Sequence, residues 1–367
     1  MNWKADKFKT LIAERGFSQE SFAKKVGVSR QTVNGWVQGN VPKGIHLIGI
    51  WDTLGIDLNE IFERKEADIV PMHRKRGTAK VTDITNQAAI DLAKSYAGLF
   101  EVADVPVLQL YVSQCSDDAA KKLAYEMRQL MELQNSDNPP TFAQVLKLLS
   151  ALNICVIFKS FPDAIKDYAF YTRINKTPVV FVNTSTHIND LVFALLHEAV
   201  HAVRCNNALN ECMVLEQEDA FCDKVASMAQ FSDAYLETIQ ISLRNKNKPY
   251  MQTLVDFSTK NVHSIYGLAK RFKDSGRFTI KTLNQYRIKD NVLKKKYPKF
   301  ETYLFSEDAS VYLKNLEQYS PIWYQIINRH YTTLTPGRLA ELLDITPLDA
   351  RAVIDVFRAL NANHGAR

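Results

Sequence analysis

Two histidines and a glutamate near the middle of the chain have the spacing of a metal-binding helix. The segment His197-Glu198-Ala199-Val200-His201 separates its histidines by four residues, and residues i and i+4 of an α-helix lie on one face about one turn apart. Both imidazoles can therefore bind one Zn²⁺ ion. Glu198 projects about 100° around the helix from His197. From there it can act as the general base that takes a proton from an attacking water.

The same segment has a purely structural interpretation, in which both histidines pack in the core without a metal. Burying two imidazoles and a carboxylate costs free energy unless each group finds a hydrogen-bonding partner. Residues 191–196, which precede the motif, are Leu, Val, Phe, Ala, Leu and Leu. They are apolar on nearly every helical face, and this pattern predicts a buried helix. We therefore favour the metal site over the structural interpretation.

A catalytic zinc site needs a third protein ligand and an open position for water. The next acidic residues along the chain, Glu218 and Asp219, belong to a predicted helix and point about 100° apart on it, so that only one can face the metal. The side of Glu218 is otherwise apolar, with Phe221, Val225 and Met228. Asp219 shares its side with Asp223, which can support a ligand from outside the metal shell. The prediction is that Asp219 is the third ligand, with Glu218 as the alternative.

The residues around the motif predict a small sheet flanked by helices. Runs of β-branched and aromatic residues predict three strands, Cys155–Phe158, Tyr168–Arg173 and Val179–Asn183. Amphipathic patterns predict helices at about 83–100, 117–134 and 141–152, and mostly helical structure from 232 to 367. Two stretches of this last region, 264–276 and 335–350, have the rhythm of a helix-turn-helix. The predicted fold class is therefore mostly α, with an α+β domain around the motif and a helical C-terminal region.

The N-terminal residues predict a compact helical unit with a helix-turn-helix. Ser18 can cap a helix that runs to Val26, and Gly27 supplies a turn that tolerates positive φ. A second helix starts at Ser29. Its predicted exposed side chains can hydrogen-bond base edges or phosphates, and they are Arg30, Gln31, Thr32 and Asn34. The valines of the same stretch, Val28, Val33 and Val37, can pack it on the first helix.

These residues resemble a known class of DNA-binding domain. Phe17-Ser18-Gln19, Gly27-Val28-Ser29 and Val33-Asn34-Gly35-Trp36 are similar to the XRE family of phage-repressor-type helix-turn-helix domains, over about residues 5–63. The resemblance implies a five-helix domain in which Gln19 supports a phosphate contact and Ser29 to Asn34 enter the major groove of double-stranded DNA. Val37 departs from the pattern, since the family has an acidic residue after the tryptophan. XRE-like domains commonly pair on two-fold operators, so a homodimer is a further expectation.

The distribution of charge agrees with a polyanionic partner for the N-terminal part. Residues 1–80 contain 14 Lys and Arg against 9 Asp and Glu, which is 14 − 9 = +5 of a total net charge of +6. A local excess of this size favours nucleic acid. Residues 65–80 combine Pro, Gly and basic side chains without apolar periodicity, and they predict a basic linker.

The stretch from about 83 to 232 resembles the ImmA/IrrE family of zinc metallopeptidases, which is often fused behind an XRE domain. The similar segments are the strand ending at Asn183, the approach 193–198 to the motif, and 219–226. Asp219 stands where that family has a glutamate ligand, and Asp223 where it has an asparagine. The resemblance implies a zincin-like fold. Together with the helix-turn-helix, the basic linker and the helical C-terminal pattern, it gives predicted domains at 1–64, 81–234 and 235–367, with the linker at 65–80. It also implies Zn²⁺ as the cofactor and hydrolysis of a peptide bond in a partner repressor or antitoxin, which frees a phage-related or stress operon.

An alternative from another functional class is a non-catalytic DNA-binding repressor or antitoxin that uses the peptidase fold as a sensing or protein-binding scaffold. The presence of Glu198 favours the enzyme, whereas the aspartate at 219 favours the scaffold. Cys222 is interpreted as a small packing residue beside the site. No run of about 18 apolar residues predicts a membrane span. The five cysteines form no CxxC pair, so free thiols in a reducing cytoplasm are expected.

Overall fold

The computed structural model describes residues 2–42, 46, 49–50, 53–56, 62–63, 71–73, 82–100, 110, 112, 115–134, 136–205, 215–244, 249–278 and 280–364. The chain divides into two compact units, Met1–Asp68 and Ile69–Arg367. Within the described residues both units are mainly helical, and this part of the predicted fold class is confirmed. No described helix has the length and apolarity needed to cross a lipid bilayer.

The N-terminal unit contains three described helices, Ala5–Glu14, Gln19–Val26 and Arg30–Val37. Phe8, Phe22 and Trp36 form the centre of its core, with Phe8 in edge contact with both other rings. The remaining helices of the predicted five fall largely outside the described residues. A short antiparallel ribbon joins β1 (Asn2–Trp3) to β2 (Phe62–Glu63). The sequence did not predict this ribbon, because two-residue strands are too short to show alternation.

The second unit is built on a four-stranded mixed sheet with the order β3-β5-β6-β4. Its strands are β3 (Met72–His73), β4 (Cys155–Lys159), β5 (Ala169–Ile174) and β6 (Thr177–Asn183). β5 pairs antiparallel with β3 and β6, and β4 pairs parallel with β6. The three predicted strands are confirmed as β4, β5 and β6. β3 lies inside the predicted linker 65–80. The sequence did not predict this edge strand, because it is defined by backbone pairing with β5 and its two residues are too few to show periodicity.

Five described helices of this unit precede its C-terminal region: Asp83–Lys94, Asp117–Leu130, Phe142–Ala151, Ile188–Cys205 and Leu215–Gln230. We call Ile188–Cys205 the motif helix and Leu215–Gln230 the carboxylate helix. A 3₁₀ turn, Ala97–Leu99, follows the first of them. The motif helix packs on β5 and β6, on Phe142–Ala151 and on the carboxylate helix.

The turn between β6 and the motif helix is closed by local hydrogen bonds. Asn183 Oδ1 accepts from the backbone N–H of Ser185 at 3.1 Å, a turn that asparagine favours. The backbone of Ile188 then donates to the carbonyl of Pro298 at 3.1 Å, and Phe300 donates to Thr186 at 2.9 Å. The start of the motif helix is therefore fixed by hydrogen bonds within the preceding turn and by hydrogen bonds with residues 298–300 of the C-terminal region.

The C-terminal region contains nine described helices. They are Asp233–Arg244, Tyr250–Asn261, Ile265–Asp274, Asn284–Lys294, Glu301–Leu304, Ala309–Tyr319, Pro321–His330, Pro336–Leu343 and Pro347–His364. Ser320 Oγ donates to the carbonyl of Val156 on β4 at 2.6 Å. Lys159 of β4 forms an ion pair of 3.0 Å with Asp344. Residues 81–234 and 235–367 therefore share one compact unit, and their assignment to separate functional domains stays a prediction.

Candidate DNA-contact surface and candidate metal centre

The N-terminal helix-turn-helix has well-formed caps and a turn of the expected geometry. Ser18 caps the first helix through the N–H of Ser21 at 3.1 Å, and Gly27 ends it with φ 76°. Ser29 caps the second helix through the N–H of Thr32, also at 3.1 Å. A residue with a side chain is strained at this positive φ, so that glycine suits the turn.

The predicted DNA-contact residues lie on the outer side of this unit. Ser29, Arg30, Gln31 and Asn34 are exposed, and Gln19 and Thr32 are half-buried. The hydroxyls of Ser29 and Thr32 are 2.9 Å apart, so part of their hydrogen-bonding capacity serves the cap. Val33 is fully buried, and Val28 and Val37 pack against the same core. Arg30, Gln31 and Asn34 are therefore the side chains best placed to reach a nucleic acid.

A second helix pair, Pro336–Leu343 and Pro347–His364, repeats this cap and turn register. Thr335 takes the place of Ser18, Asp344 with φ 61° that of Gly27, and Thr346 that of Ser29. Each position lies 317 residues further on (344 − 27 = 317). The turn bond from Val28 N–H to the Ala23 carbonyl (2.9 Å) has its counterpart from Ile345 to Ala340 (3.1 Å). The helix-turn-helix rhythm noted at 335–350 is therefore a helix-turn-helix in space.

The two helix pairs differ in charge. Residues 18–37 contain three basic side chains and one acidic one, a net charge of 3 − 1 = +2. Residues 335–364 contain three basic and four acidic ones, a net charge of 3 − 4 = −1. The C-terminal pair exposes Leu348 (75%) at the position equivalent to Gln31. It therefore has the geometry of the motif without an electrostatic attraction for a polyanion.

The motif helix brings the predicted metal ligands together in the interior. His197 and Glu198 are completely buried and His201 is 1% exposed. The Nε2 atoms of the two histidines lie 3.1 Å apart, a spacing that suits two ligands each about 2.0–2.1 Å from one Zn²⁺ ion. The i, i+4 spacing therefore places both imidazoles where the sequence predicted them.

The carboxylate helix places Asp219, rather than Glu218, beside the histidines. Asp219 Oδ1 lies 3.5 Å from His201 Nε2. Both oxygens of Glu218 instead accept from Arg204 Nε, at 2.7 and 2.8 Å. Arg204 Nη1 also donates to the carbonyl of Val112. This buried ion pair was not predicted, although an arginine in the last turn of a largely apolar helix is a signal for a buried partner.

Asp223 lies behind the first histidine, as predicted. Its Oδ1 is 3.1 Å from His197 Nδ1, and its Oδ2 is 3.4 Å from Lys270 Nζ. A carboxylate at Nδ1 accepts the proton of that nitrogen and directs the Nε2 lone pair towards a metal. Lys270 comes from the helix Ile265–Asp274, so a side chain of the C-terminal region contacts the site.

Cys222 lies closer to the histidines than its interpretation as a packing residue implies. Its sulfur is 3.5 Å from His201 Nδ1, and ligand atoms of His197, His201 and Cys222 all lie within 4.8 Å of one another. Burial, reinforced by nearby carboxylates, raises the pKa of the Cys222 thiol well above its ordinary value. Its contact is to Nδ1, whereas the two histidines converge through Nε2. Asp219 therefore lies on the Nε2 side of His201, and Cys222 completes a buried His₂Cys group.

Tyr168 and Tyr171 each accept a hydrogen bond from a basic side chain. Tyr168 accepts from Lys294 Nζ at 3.2 Å, and Tyr171 accepts from Arg173 Nε at 3.2 Å. The side chain of Cys205 lies outside the described residues. The donor set of two imidazoles with a carboxylate or a thiol is chemically suited to Zn²⁺, so the residues present fit the metal that the motif predicts.

Comparison with known proteins identifies the N-terminal unit. Residues 8–61 match the Helix-turn-helix family, so the XRE-type DNA-binding domain of a transcription regulator is present. No curated protein and no solved structure matches the chain. The match ends before the second unit begins at Ile69.

Proposed function

We propose that this DNA-binding regulator carries a zinc-dependent peptidase of the ImmA/IrrE type, with a zincin-like fold, in its second unit. The observation that supports the proposal is the convergence of the two Nε2 atoms, 3.1 Å apart, with Asp219 Oδ1 3.5 Å from His201 Nε2 and with Glu198 on the same helix as both histidines. The substrate class is a partner repressor or antitoxin, and its cleavage would change transcription of the operon that the helix-turn-helix domain binds.

Each candidate site residue has a separate role in the proposed reaction. His197, His201 and Asp219 would hold the metal, which when bound would supply Lewis-acid chemistry towards a peptide carbonyl and an attacking water. Glu198 takes a proton from the attacking water and returns it to the leaving amine nitrogen. Asp223 fixes the tautomer of His197 by accepting its Nδ1 proton.

The burial of the candidate metal site supports a second candidate function, that of a metal-stabilised scaffold. Within the described part of the chain, the side chains of His197, Glu198 and His201 are at most 1% exposed. Structural zinc sites are closed, whereas catalytic ones keep an open position. A closed site completed by Cys222 would make the second unit a metal-stabilised scaffold for binding or sensing.

The deciding experiment compares the zinc-loaded wild-type chain with Glu198→Gln in a lysate of the source cells. New protein N-termini are mapped by amine labelling and mass spectrometry. The peptidase proposal expects at least one new N-terminus that depends on zinc and is missing with Glu198→Gln. Identical sets of N-termini for both proteins, with zinc bound to both, would favour the scaffold.

A further inference from the structure

The second unit contains a concentration of positive charge that the N-terminal excess does not explain. Residues 281–299 include seven basic residues and one acidic residue, Asp290, a net charge of 7 − 1 = +6. The basic residues are Lys281, Arg287, Lys289, Lys294, Lys295, Lys296 and Lys299. The whole chain also has a net charge of +6, so the other residues together are neutral.

The fold turns the single carboxylate of this segment inward. The helix Asn284–Lys294 buries Tyr286 and Leu293 and packs on Ile265–Asp274. Asp290 accepts from Ser264 Oγ at 2.7 Å and from the N–H of Ile265 at 2.8 Å. It caps the neighbouring helix and does not neutralise the outer face.

The outer face exposes the lysines. Lys281, Lys289, Lys295 and Lys296 are exposed and have no ion-pair partner among the described residues. Arg287 is exposed as well and lies over the ring of Tyr266 at 4.9 Å. Lys289 lies on the helix Asn284–Lys294, and Lys295 and Lys296 follow its C-terminal end. We call Lys281 to Lys299 the basic surface.

We propose that the basic surface contacts the phosphate backbone of duplex DNA, as a second contact separate from the helix-turn-helix. Lys294 and Lys299 pair with Asp190 and Glu301. The exposed lysines that have no partner among the described residues repel one another, and a polyanion relieves this repulsion and releases its own counterions. The Helix-turn-helix match at residues 8–61 favours DNA over other polyanions, since a duplex bound by one part of a chain is at high effective concentration for another part. Ile288 (60%) and Val292 (56%) are exposed on the same helix. An acidic protein partner would contact these apolar side chains as well as the lysines.

The test uses the full-length chain and a labelled 30-base-pair duplex of random sequence. The variant Lys289→Ala/Lys295→Ala/Lys296→Ala is compared with Lys121→Ala/Lys122→Ala/Lys166→Ala, whose exposed lysines lie near carboxylates. Fluorescence anisotropy gives the slope of log K against log salt. Each lost phosphate contact reduces the slope by about 0.9, so the first variant should lose about 2 to 3 and bind at least tenfold more weakly, whereas the control should match the wild type.

Three results would overturn the proposal. They are an unchanged slope in the first variant, an equal loss in the control, and competition by poly-glutamate as strong as that by DNA at equal charge, which would assign the surface to an acidic protein. A further variant, Gln31→Ala/Asn34→Ala, separates the two contacts. It should reduce preference for a specific operator while leaving the slope on random duplex unchanged, so failure of the helix-turn-helix and failure of the basic surface give different results.

Discussion

The side chains of the N-terminal helix-turn-helix that face outward lie close together on one eight-residue helix, whereas the metal cluster takes its side chains from two helices. Arg30, Gln31 and Asn34 are exposed, and water satisfies them when no DNA is bound. His197 and His201 are buried and depend on protein partners such as Asp223. An exposed contact surface therefore follows from local periodicity, while a buried cluster follows from how helices pack.

The same difference sets the cost of substitution. Removing an exposed polar side chain changes folding stability by about 0.5 kcal/mol or less. Removing one partner of a buried ion pair, such as Glu218 with Arg204, leaves an uncompensated charge and costs about 3–5 kcal/mol. Variants of the two regions should therefore separate into those that lose only binding and those that also lose stability.

The largest effect is expected from Glu198→Gln. The amide cannot accept the proton of the attacking water, so cleavage should fall by about 10²–10⁴-fold, the usual contribution of general-base catalysis. Zinc content, measured by mass spectrometry on the folded protein, should stay at the wild-type level because no ligand is removed. Undiminished cleavage by the purified variant would exclude Glu198 as the base.

Next in size is the effect of Asp219→Ala on metal binding. Loss of a ligand should abolish stoichiometric zinc binding while circular dichroism shows a folded chain. Glu218→Ala is the matched control, which should keep its zinc but unfold at a lower temperature because Arg204 loses its partner. Full zinc retention in folded Asp219→Ala would assign the third position to another residue, and zinc loss in Cys222→Ser would identify Cys222.

Acid should destabilise the second unit through a buried histidine. Burial lowers the pKa of His263 to about 4 from an ordinary 6.5, so the unfolded chain binds the proton more readily. The contribution of neutral His263 to the free energy of unfolding is fully present above about pH 6.5. It is lost as the pH falls towards 4, by up to about 3 kcal/mol.

Urea titrations of the wild type and His263→Gln from pH 7 to pH 4.5 measure this contribution. The loss of stability on acidification should be smaller in the variant. Equal losses would show that other groups cause the acid sensitivity. Because no buried histidine occurs among the described residues of the N-terminal unit, its unfolding should change less over this range.

The smallest effect on folding stability is expected at the exposed surface. Gln31→Ala/Asn34→Ala should weaken operator binding by about 1–3 kcal/mol per lost base contact, with no change in melting temperature. The equivalent positions of the C-terminal helix pair, 317 residues further on, supply the control Leu348→Ala/Arg351→Ala. Gel shifts with operator DNA should show no effect of this control, and an equal loss would mean that both helix pairs contact DNA.

Much of the fold could be read from local patterns. β4, β5 and β6 and the helices around them were predicted within a few residues, because their apolar runs are long enough to show periodicity. The short strands β1, β2 and β3 were not predicted, since pairing alone defines them. The boundary expected at 234/235 stays a prediction, and the residues on both sides of it belong to one compact unit, in which Ser320 Oγ donates to Val156 of β4 and Asp344 accepts from the backbone N–H of Ser160.

The sequence by itself determined which groups share a helical face, because that depends only on 3.6 residues per turn. It placed His197 beside His201, separated Asp219 from Glu218, and positioned Arg30 and Asn34 outside. Tertiary structure alone decided which of these faces meet. It brought Arg204 to Glu218, Cys222 to His201 and Lys270 to Asp223. It also turned Asp290 inward, where the carboxylate accepts a hydrogen bond from Ser264. These contacts join residues distant along the chain, and packing of whole helices determines them rather than local spacing.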